Sequence, residues 1–214
     1  MRKAGPVGFD LDLTLINSRP AILAAWAAVS EELGVPIDPV KVDERMGIKL
    51  EDEVGYWFPA GQVQAAADCY RRHYLKLVPT LTFPLAGAAE SLEAVRRAGE
   101  RAVIVTAKSP VSVQPSLDAV GLRGDEVFAH VHGPEKAAVL VRLRAAVYVG
   151  DTPADMVAGH SAGVTPVGVS TGSFSSADLL ASGAAVVLSS LADFPSWYAG
   201  FRDDLIQERG SDDD

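Results

Sequence analysis

Two aspartates, Asp10 and Asp12, close an apolar run that begins at Val7 near the N-terminus. A short β-rich run of this kind predicts a central strand of an α/β sheet, buried on both faces. We expect the strand to end at Asp10, because an unpaired carboxylate inside a core costs several kcal/mol. Side chains two residues apart in an extended segment leave it on the same side, which suits carboxylates that gather around a cation or a phosphate. The pair could equally lie in a turn that caps the next helix.

Further polar side chains follow the predicted strands or open a helix between them: Thr14 follows the first strand with Asp10 and Asp12, Thr106 and Lys108 follow a second, Asp151 and Asp155 follow a third, and Lys136 opens a helix. Ligands of open α/β sheets bind beyond the carboxyl ends of the strands, so residues far apart in sequence can meet there. Carboxylates suit Mg²⁺, whereas threonine and lysine suit phosphate oxygens. Taken alone, Asp151 and Asp155 could also be a loop residue and a helix-capping acid.

Strands and helices alternate regularly in the second part of the chain. Strands are predicted at 7–10, 102–106, 127–131, 146–149, 166–169 and 185–188, and helices at 88–98, 111–120, 136–143, 154–162 and 178–180. This alternation predicts an α/β fold with a doubly wound parallel sheet.

The segment between the first strand and this alternation contains no β-alternating run. A helix is predicted from a cap at Ser18 to Leu33, and another over 62–77. Two prolines, Pro79 and Pro84, flank the return segment, which we expect to be a short, stiff linker. The prediction is a core domain of residues 1–17 and 84–214 and a small all-helical cap domain of residues 18–83.

Composition limits the possible partners. The chain has 214 residues, a formal net charge of −9 and a single cysteine. We expect no nucleic-acid partner, because such a partner needs a basic face. One cysteine excludes an internal disulfide. The basic N-terminus leads into no apolar signal-peptide core, and no apolar run is long enough for a membrane span. We therefore expect a soluble, cytoplasmic protein with no membrane partner.

Four stretches follow one another along the chain: residues 9–16 (FDLDLTLI), residues 103–106 (VIVT), Lys136, and residues 150–155 (GDTPAD) continuing to Gly163. In this order they resemble the first, second, third and fourth motifs of the haloacid dehalogenase superfamily, in its phosphatase branch with a helical cap. The helical insert lies where this family places one type of cap. The resemblance implies a Rossmann-like core.

The resemblance also implies catalytic roles by position. Asp10 is the expected nucleophile, which takes the phosphoryl group and forms an aspartyl-phosphate. Asp12 is the expected general acid and base. Asp10, the backbone carbonyl of Asp12, and Asp151 are the expected ligands of Mg²⁺. Asp155 is expected to support the metal or Lys136.

Other positions are implied to hold the substrate. Thr106 and Lys136 are expected to bind the oxygens of the transferring phosphoryl group. Thr14, Ala107 and Lys108 complete the expected substrate contacts. The implied function is Mg²⁺-dependent hydrolysis of a small phosphorylated metabolite of the phosphoglycolate kind, by a monomer or homodimer.

Two positions depart from the family's usual pattern. Leu13 stands where glycine is usual, and leucine does not enter positive φ cheaply, so we expect the turn after Asp12 to differ. Ala107 replaces an asparagine that often follows Thr106, while Lys108 is kept.

Two readings compete with the phosphatase. A phosphomutase of the same superfamily would pass the phosphoryl group to a sugar rather than to water. A non-catalytic phosphate-binding or regulatory module would account for the two departures. In the predicted cap, Arg45, Met46, Gly47 and Lys49 either face the substrate or form a solvated loop.

Overall fold

The computed structural model describes residues 5–211, with the backbone alone described for residues 205–211. Its strands are β1 (Val7–Phe9), β2 (Ile16–Asn17), β3 (Phe83–Pro84), β4 (Ala102–Val105), β5 (Glu126–Phe128), β6 (Val147–Gly150), β7 (Thr165–Val169) and β8 (Val186–Leu188). Its α-helices are α1 (Arg19–Leu33), α2 (Pro39–Glu44), α3 (Leu50–Trp57), α4 (Val63–Leu81), α5 (Ala88–Arg97), α6 (Pro110–Val120), α7 (Pro134–Leu143), α8 (Pro153–Ser161), α9 (Ser176–Ala181) and α10 (Phe194–Ser211).

Six strands form one sheet in the order β5-β4-β1-β6-β7-β8, and every neighbouring pair is parallel. β1 lies inside this sheet, between β4 and β6. Its three residues are fully buried, as an apolar central strand requires. The predicted α/β class with a parallel sheet is confirmed.

Alternate residues of the strands pack into two separate hydrophobic clusters. Phe9 and Ile104 belong to one cluster, which includes Leu92 of α5 and Phe194 of α10. Val105 and Tyr148 belong to the other, together with Leu140 of α7. Because successive side chains of a strand point to opposite faces, these clusters lie on the two faces of the sheet. Helices therefore cover both faces, which is the doubly wound arrangement.

Helices α1 to α4 enclose a third cluster of their own. It runs from Ala21 to Val78, and its aromatic centre is Trp26, Tyr70 and Tyr74. The ring centroids of Trp26 and Tyr70 lie 4.9 Å apart, and those of Tyr70 and Tyr74 lie 5.7 Å apart. This separate core supports the predicted division into a cap of residues 18–83 and a core domain of residues 1–17 and 84–214, which stays our proposal.

The return from the cap differs from the predicted stiff linker. Helix α4 continues past Pro79 to Leu81, and Thr82 N donates to Val78 O at 3.2 Å. Phe83 and Pro84 then pair antiparallel with Asn17 and Ile16. Pro79 has no N–H to donate to Leu75 O, so α4 lacks that one bond and ends two residues later, at Leu81. A two-stranded ribbon, rather than a linker, connects the two parts of the chain.

Local differences have local causes. Ser18 does not cap α1 with its side chain, because its hydroxyl donates to Asp12 instead. The strand predicted over 127–131 ends at Phe128, since His130 adopts a φ of 60° and its N–H donates to Lys108 O. Helix α10 occupies a segment for which the sequence patterns predicted no element. Among the helices of residues 5–211, none combines the length and apolarity needed to cross a membrane.

Candidate active site

Lys136 connects two of the predicted aspartates. Its Nζ donates to Asp10 Oδ1 at 2.8 Å and to Asp155 Oδ1 at 2.7 Å. Asp10 follows directly after β1, where its N–H donates to Val149 O at 2.8 Å, and Lys136 lies in the first turn of α7. All three charged side chains are buried. Buried charges of this kind must be paired, so the contact fixes the position of the Asp10 carboxylate.

Asp155 is held from two further directions. The Tyr148 hydroxyl donates to Asp155 Oδ1 at 3.1 Å, and Thr152 Oγ1 donates to Asp155 Oδ2 at 2.6 Å. Thr152 and Asp155 also form a capping box at the start of α8. The Asp155 carboxylate thus has donors at both oxygens, and it orients Lys136 toward Asp10.

Asp151 lies beside the same cluster. Thr14 Oγ1 donates to Asp151 Oδ1 at 2.9 Å. A Cβ added at Gly172 would lie 2.0 Å from Asp151 Oδ2, so only glycine permits this approach of the backbone to the carboxylate. Asp10, Asp151 and Asp155 each place a carboxylate oxygen within 4.8 Å of the other two.

The electrostatics of this cluster are unbalanced. Burial, opposed by Lys136, raises the pKa of Asp10 to about 7. Burial and the neighbouring carboxylates raise the pKa of Asp151 well above its usual range. Burial alone would lower the pKa of Lys136, but Asp10 and Asp155 outweigh it and hold that pKa above its usual range. Three buried carboxylates facing one ammonium group leave a negative excess, and hard oxygen donors are what a divalent cation requires. The residues present therefore fit a metal ion.

Asp12 is held by a different lysine. Lys108 Nζ donates to both carboxylate oxygens of Asp12, at 2.7 and 3.0 Å, and Ser18 Oγ donates to Oδ1 at 2.5 Å. The Lys108 ammonium also lies 4.6 Å from the centre of the Tyr74 ring in the cap. Thr106 Oγ1 accepts the Lys108 backbone N–H at 3.2 Å. Asp12 and Lys108 therefore form a second charged pair, at the side of the site that faces the cap.

The turn after Asp12 keeps the conformation that glycine would favour. Leu13 adopts a φ of 59°, so the expectation of a different turn is wrong. Its N–H donates to Ile16 O at 2.7 Å, and its carbonyl accepts the Thr171 hydroxyl at 2.5 Å. The Leu13 side chain is buried. These bonds and this burial offset the cost of the left-handed conformation, which is roughly 1–2 kcal/mol.

Replacing Leu13 by glycine and by alanine should separate strain from burial. Both variants lose apolar burial, but only alanine keeps the strained φ, so we expect Leu13→Gly to be the more stable by about 1 kcal/mol. Urea unfolding measures the difference. Leu11 is the control, since it is equally buried without a positive φ, and there alanine should be the more stable. If the same variant, glycine or alanine, were the more stable at both Leu13 and Leu11, the result would contradict this account of the turn.

A cavity of about 90 Å³ opens between the core and the cap. From the core it is lined by Asp10, Asp12, Thr106, Ala107, Lys108, Ser109 and Ser112, and from the cap by Ile22, Trp26, Val42, Arg45, Met46, Gly47, Ile48, Leu50, Glu53, Tyr70 and Tyr74. Thr14, Lys136, Asp151 and Asp155 are buried and do not line it. The structure thus brings the predicted residues together in two layers, a buried charged layer and a layer that faces the cavity.

Of the four cap residues left open by the sequence, Arg45, Met46 and Gly47 line the cavity. A Cβ added at Gly47 would lie 3.2 Å from Thr152 Cγ2. The cap loop, residues 45–49 between α2 and α3, therefore lies close to the loop of residues 151–152 in the core. Lys49 Nζ does not line the cavity but lies 2.7 Å from Glu135 Oε2 at the start of α7. These contacts connect the cap loop to the core on the side of the cluster.

Sequence reasoning missed most of the apolar lining. Trp26, for example, is buried in the cap cluster and also faces the cavity. Ile22 and Trp26, and likewise Tyr70 and Tyr74, are four residues apart on helices, a spacing that indicates a shared face but not what it packs against. Ser18 and Tyr148, which hold Asp12 and Asp155, were missed because single polar residues on buried elements carry no local signal.

Comparisons with known proteins agree with this geometry. Residues 7–169 match the model of the haloacid dehalogenase-like hydrolases. "Probable phosphatase IndB" of Dickeya dadantii is 26% identical over 86% of this chain and 89% of its own length. Phosphoglycolate phosphatase of Haemophilus influenzae is 24% identical over 78% of this chain and 85% of its own length.

Solved structures show the same fold. The structure of a predicted phosphoglycolate phosphatase from Haemophilus somnus superimposes with a TM-score of 0.79 at 21% identity, and it covers 92% of this chain and 100% of its own. Since the matched model spans most of the chain, including both aspartate motifs, this protein belongs to the haloacid dehalogenase-like hydrolase family.

Proposed function

We propose that this phosphatase of the haloacid dehalogenase-like family hydrolyses a small phosphomonoester with Mg²⁺ through an aspartyl-phosphate on Asp10. The observation that carries the proposal is the position of Asp10. Its carboxylate is fixed by Lys136 in the buried cluster, and the residue also lines the cavity between core and cap. A carboxylate held at the floor of a cavity is placed to attack a bound phosphoryl group.

The chain's own residues supply the steps of the reaction. Asp10 attacks the phosphorus, a bond forms between its carboxylate oxygen and phosphorus, and the ester bond breaks. Asp12, in its protonated form, gives a proton to the departing alcohol oxygen. Asp12 then takes a proton from water, whose oxygen attacks the phosphorus and displaces Asp10. Phosphate leaves, and both side chains return to their starting states.

Lys108 and Ser18 assist by position. They fix the Asp12 carboxylate next to the cavity, on the side from which the leaving group must depart. Lys136 places its positive charge beside Asp10, where it offsets charge on the transferring phosphoryl oxygens. Thr106 and Ala107 line the core side of the same cavity. Positioning and charge stabilisation are the principal sources of rate in phosphoryl transfer.

Asp10, the backbone carbonyl of Asp12, and Asp151 would hold the metal ion. When bound, Mg²⁺ supplies positive charge that reduces repulsion between an anionic nucleophile and an anionic phosphate. The negative excess of the buried carboxylate cluster supports this assignment, and Thr14 holds Asp151 in place.

The test is phosphate release from a panel of small phosphomonoesters, with Mg²⁺ and with a chelator in its place. Phosphoglycolate belongs in the panel because several relatives carry its name. We expect release that depends on Mg²⁺. Turnover that is equal under chelation would contradict the metal assignment, and a panel with no substrate turned over would contradict the phosphatase proposal. Product analysis separates water from a sugar as the acceptor, and thus a phosphatase from a phosphomutase.

Mg²⁺ should also stabilise the folded chain. At a concentration about a hundred times Kd, a ligand adds about 2.7 kcal/mol, which for a chain of this size raises Tm by about 5–10 °C. Asp151→Asn should lose most of this shift, whereas Asp118→Asn, at an exposed position on α6, should keep it. Thermal melting with and without Mg²⁺ measures both. An undiminished shift in Asp151→Asn would show that the ion binds elsewhere.

A further inference from the structure

The cap side of the cavity is mainly apolar and aromatic. Ile22, Trp26, Val42, Leu50, Tyr70 and Tyr74 line it, and the hydroxyl of Tyr74 is engaged by Ser116 Oγ at 3.1 Å. These side chains come from four different helices, α1 to α4, so the surface belongs to the folded cap as a whole. A lining of this composition favours a ligand whose part inside the cavity is apolar.

Arg45 is the only cationic cap residue among the described residues that line the cavity, and its charge is already paired. Its Nε donates to Glu53 Oε2 at 2.7 Å, and the Trp57 indole N–H donates to the other oxygen of Glu53 at 2.7 Å. The guanidinium also lies 4.2 Å from the centre of the Tyr56 ring. Glu53 is itself buried and lines the cavity. The pair places no net positive charge on this wall.

None of the described core residues that line the cavity offers a free cation either. Lys108 is bound to both carboxylate oxygens of Asp12. Five of the described lining residues are charged: Asp10, Asp12 and Glu53 are acidic, and Arg45 and Lys108 are basic. Lys136 pairs with Asp10 from outside the cavity, so each of these five charges already has a partner. The carboxylate of an anionic leaving group would therefore lose water without gaining a cation.

We infer that the leaving group of the substrate is uncharged, with an apolar or aromatic body, and is not a carboxylate such as that of phosphoglycolate. This inference rests on the proposed function, because it takes the cavity as the place of the leaving group and the aspartate cluster as the place of the phosphoryl group. Glu53 is the specificity-determining residue, since it cancels the charge of Arg45.

Binding tests the inference without any need for turnover. Benzylphosphonate and phosphonoacetate carry the same phosphonate group, with a neutral aromatic body in one and a carboxylate in the other. Calorimetric titration of the whole protein with Mg²⁺ present should show benzylphosphonate binding at least roughly tenfold more tightly. Equal affinities, or tighter binding of phosphonoacetate, would overturn the inference whatever the catalytic activity.

Turnover tests it independently. Benzyl phosphate and phosphoglycolate are both esters of primary alcohols, so intrinsic reactivity does not decide between them. We expect the higher kcat/KM for benzyl phosphate. A higher kcat/KM for phosphoglycolate would overturn the inference and leave the proposed phosphatase intact. If neither ester and no other panel member were hydrolysed, the result would contradict the proposed function alone.

Glu53→Gln tests the charge argument directly. The glutamine keeps an acceptor for Trp57 but frees the positive charge of Arg45, so affinity should shift toward phosphonoacetate by roughly tenfold relative to benzylphosphonate. Asp52→Asn removes the same charge from an exposed position of the same helix and should cause no shift. If a folded Glu53→Gln protein kept the wild-type ratio of affinities for the two phosphonates, the result would overturn the role of Glu53. If that variant fails to fold, the affinities of the wild-type protein for the two phosphonates still decide the substrate class.

Discussion

Asp10→Asn should abolish phosphatase activity, with a loss of about three orders of magnitude or more, while the protein stays folded. The amide has nearly the shape of the carboxylate but cannot form the phosphoryl bond as a nucleophile. Its neighbours keep their partners, because Lys136 remains paired with Asp155 at 2.7 Å. The variant therefore removes the attacking group and leaves the rest of the cluster in place.

Stability should not fall in this variant when urea unfolding is measured with a chelator present, so that no bound metal contributes. Burial raises the pKa of Asp10 to about 7, so above its unfolded pKa the folded state disfavours the ionised carboxylate. An uncharged amide does not carry this cost. Asp118→Asn, at an exposed site, is the matched control and should keep wild-type activity. Phosphate release and urea unfolding are measured together. A folded Asp10→Asn protein with wild-type turnover would show that the nucleophile is wrongly assigned.

Lys136→Met should damage both stability and activity. It leaves Asp10 and Asp155 buried without the ammonium group that contacts both, and breaking a buried pair in this way costs about 3–5 kcal/mol. Activity should also be lost, because the nucleophile and the transferring phosphoryl group lose their positive neighbour. Urea unfolding in the presence of a chelator measures the stability term without a contribution from metal.

Two further variants make this prediction specific. Lys49→Met removes a lysine from a pair in which the Glu135 side chain is 57% exposed, so we expect a loss under about 1 kcal/mol. The double variant Lys136→Met with Asp155→Asn removes one of the unpaired carboxylates and should recover part of the stability but none of the activity. A single Lys136→Met variant as stable as Lys49→Met would contradict the buried-pair interpretation.

The core domain follows from local patterns. Apolar runs separated by helical segments predict the parallel sheet, and the position of polar residues after strands predicts that Asp10, Asp151 and Lys136 share one edge. The contact of Lys136 with Asp10 and the closeness of Asp151 follow from that topology. These features were predictable because a parallel sheet brings the carboxyl ends of its strands together regardless of sequence separation.

The cap side of the site was not predictable in this way. Which faces of α1 and α4 contact the core domain depends on how two separately packed units dock. The sequence pattern within each helix does not indicate this. The pairing of Arg45 with Glu53, eight residues away across a bend, and the contact of Ser18 with Asp12 are of the same kind. The φ of 59° at Leu13 runs against the residue's own preference and is stabilised by contacts with distant residues such as Thr171.

The most direct test of the central claim is to trap the phosphoryl group on the protein. Wild-type enzyme turning over a phosphomonoester with Mg²⁺ is quenched rapidly and treated with borohydride, which reduces an acyl phosphate to an alcohol and so converts the phosphorylated aspartate to homoserine. Peptide mass spectrometry should find homoserine at position 10, dependent on substrate and absent at position 12. Phosphate release with unmodified Asp10, or with homoserine at position 12 instead, would contradict the account.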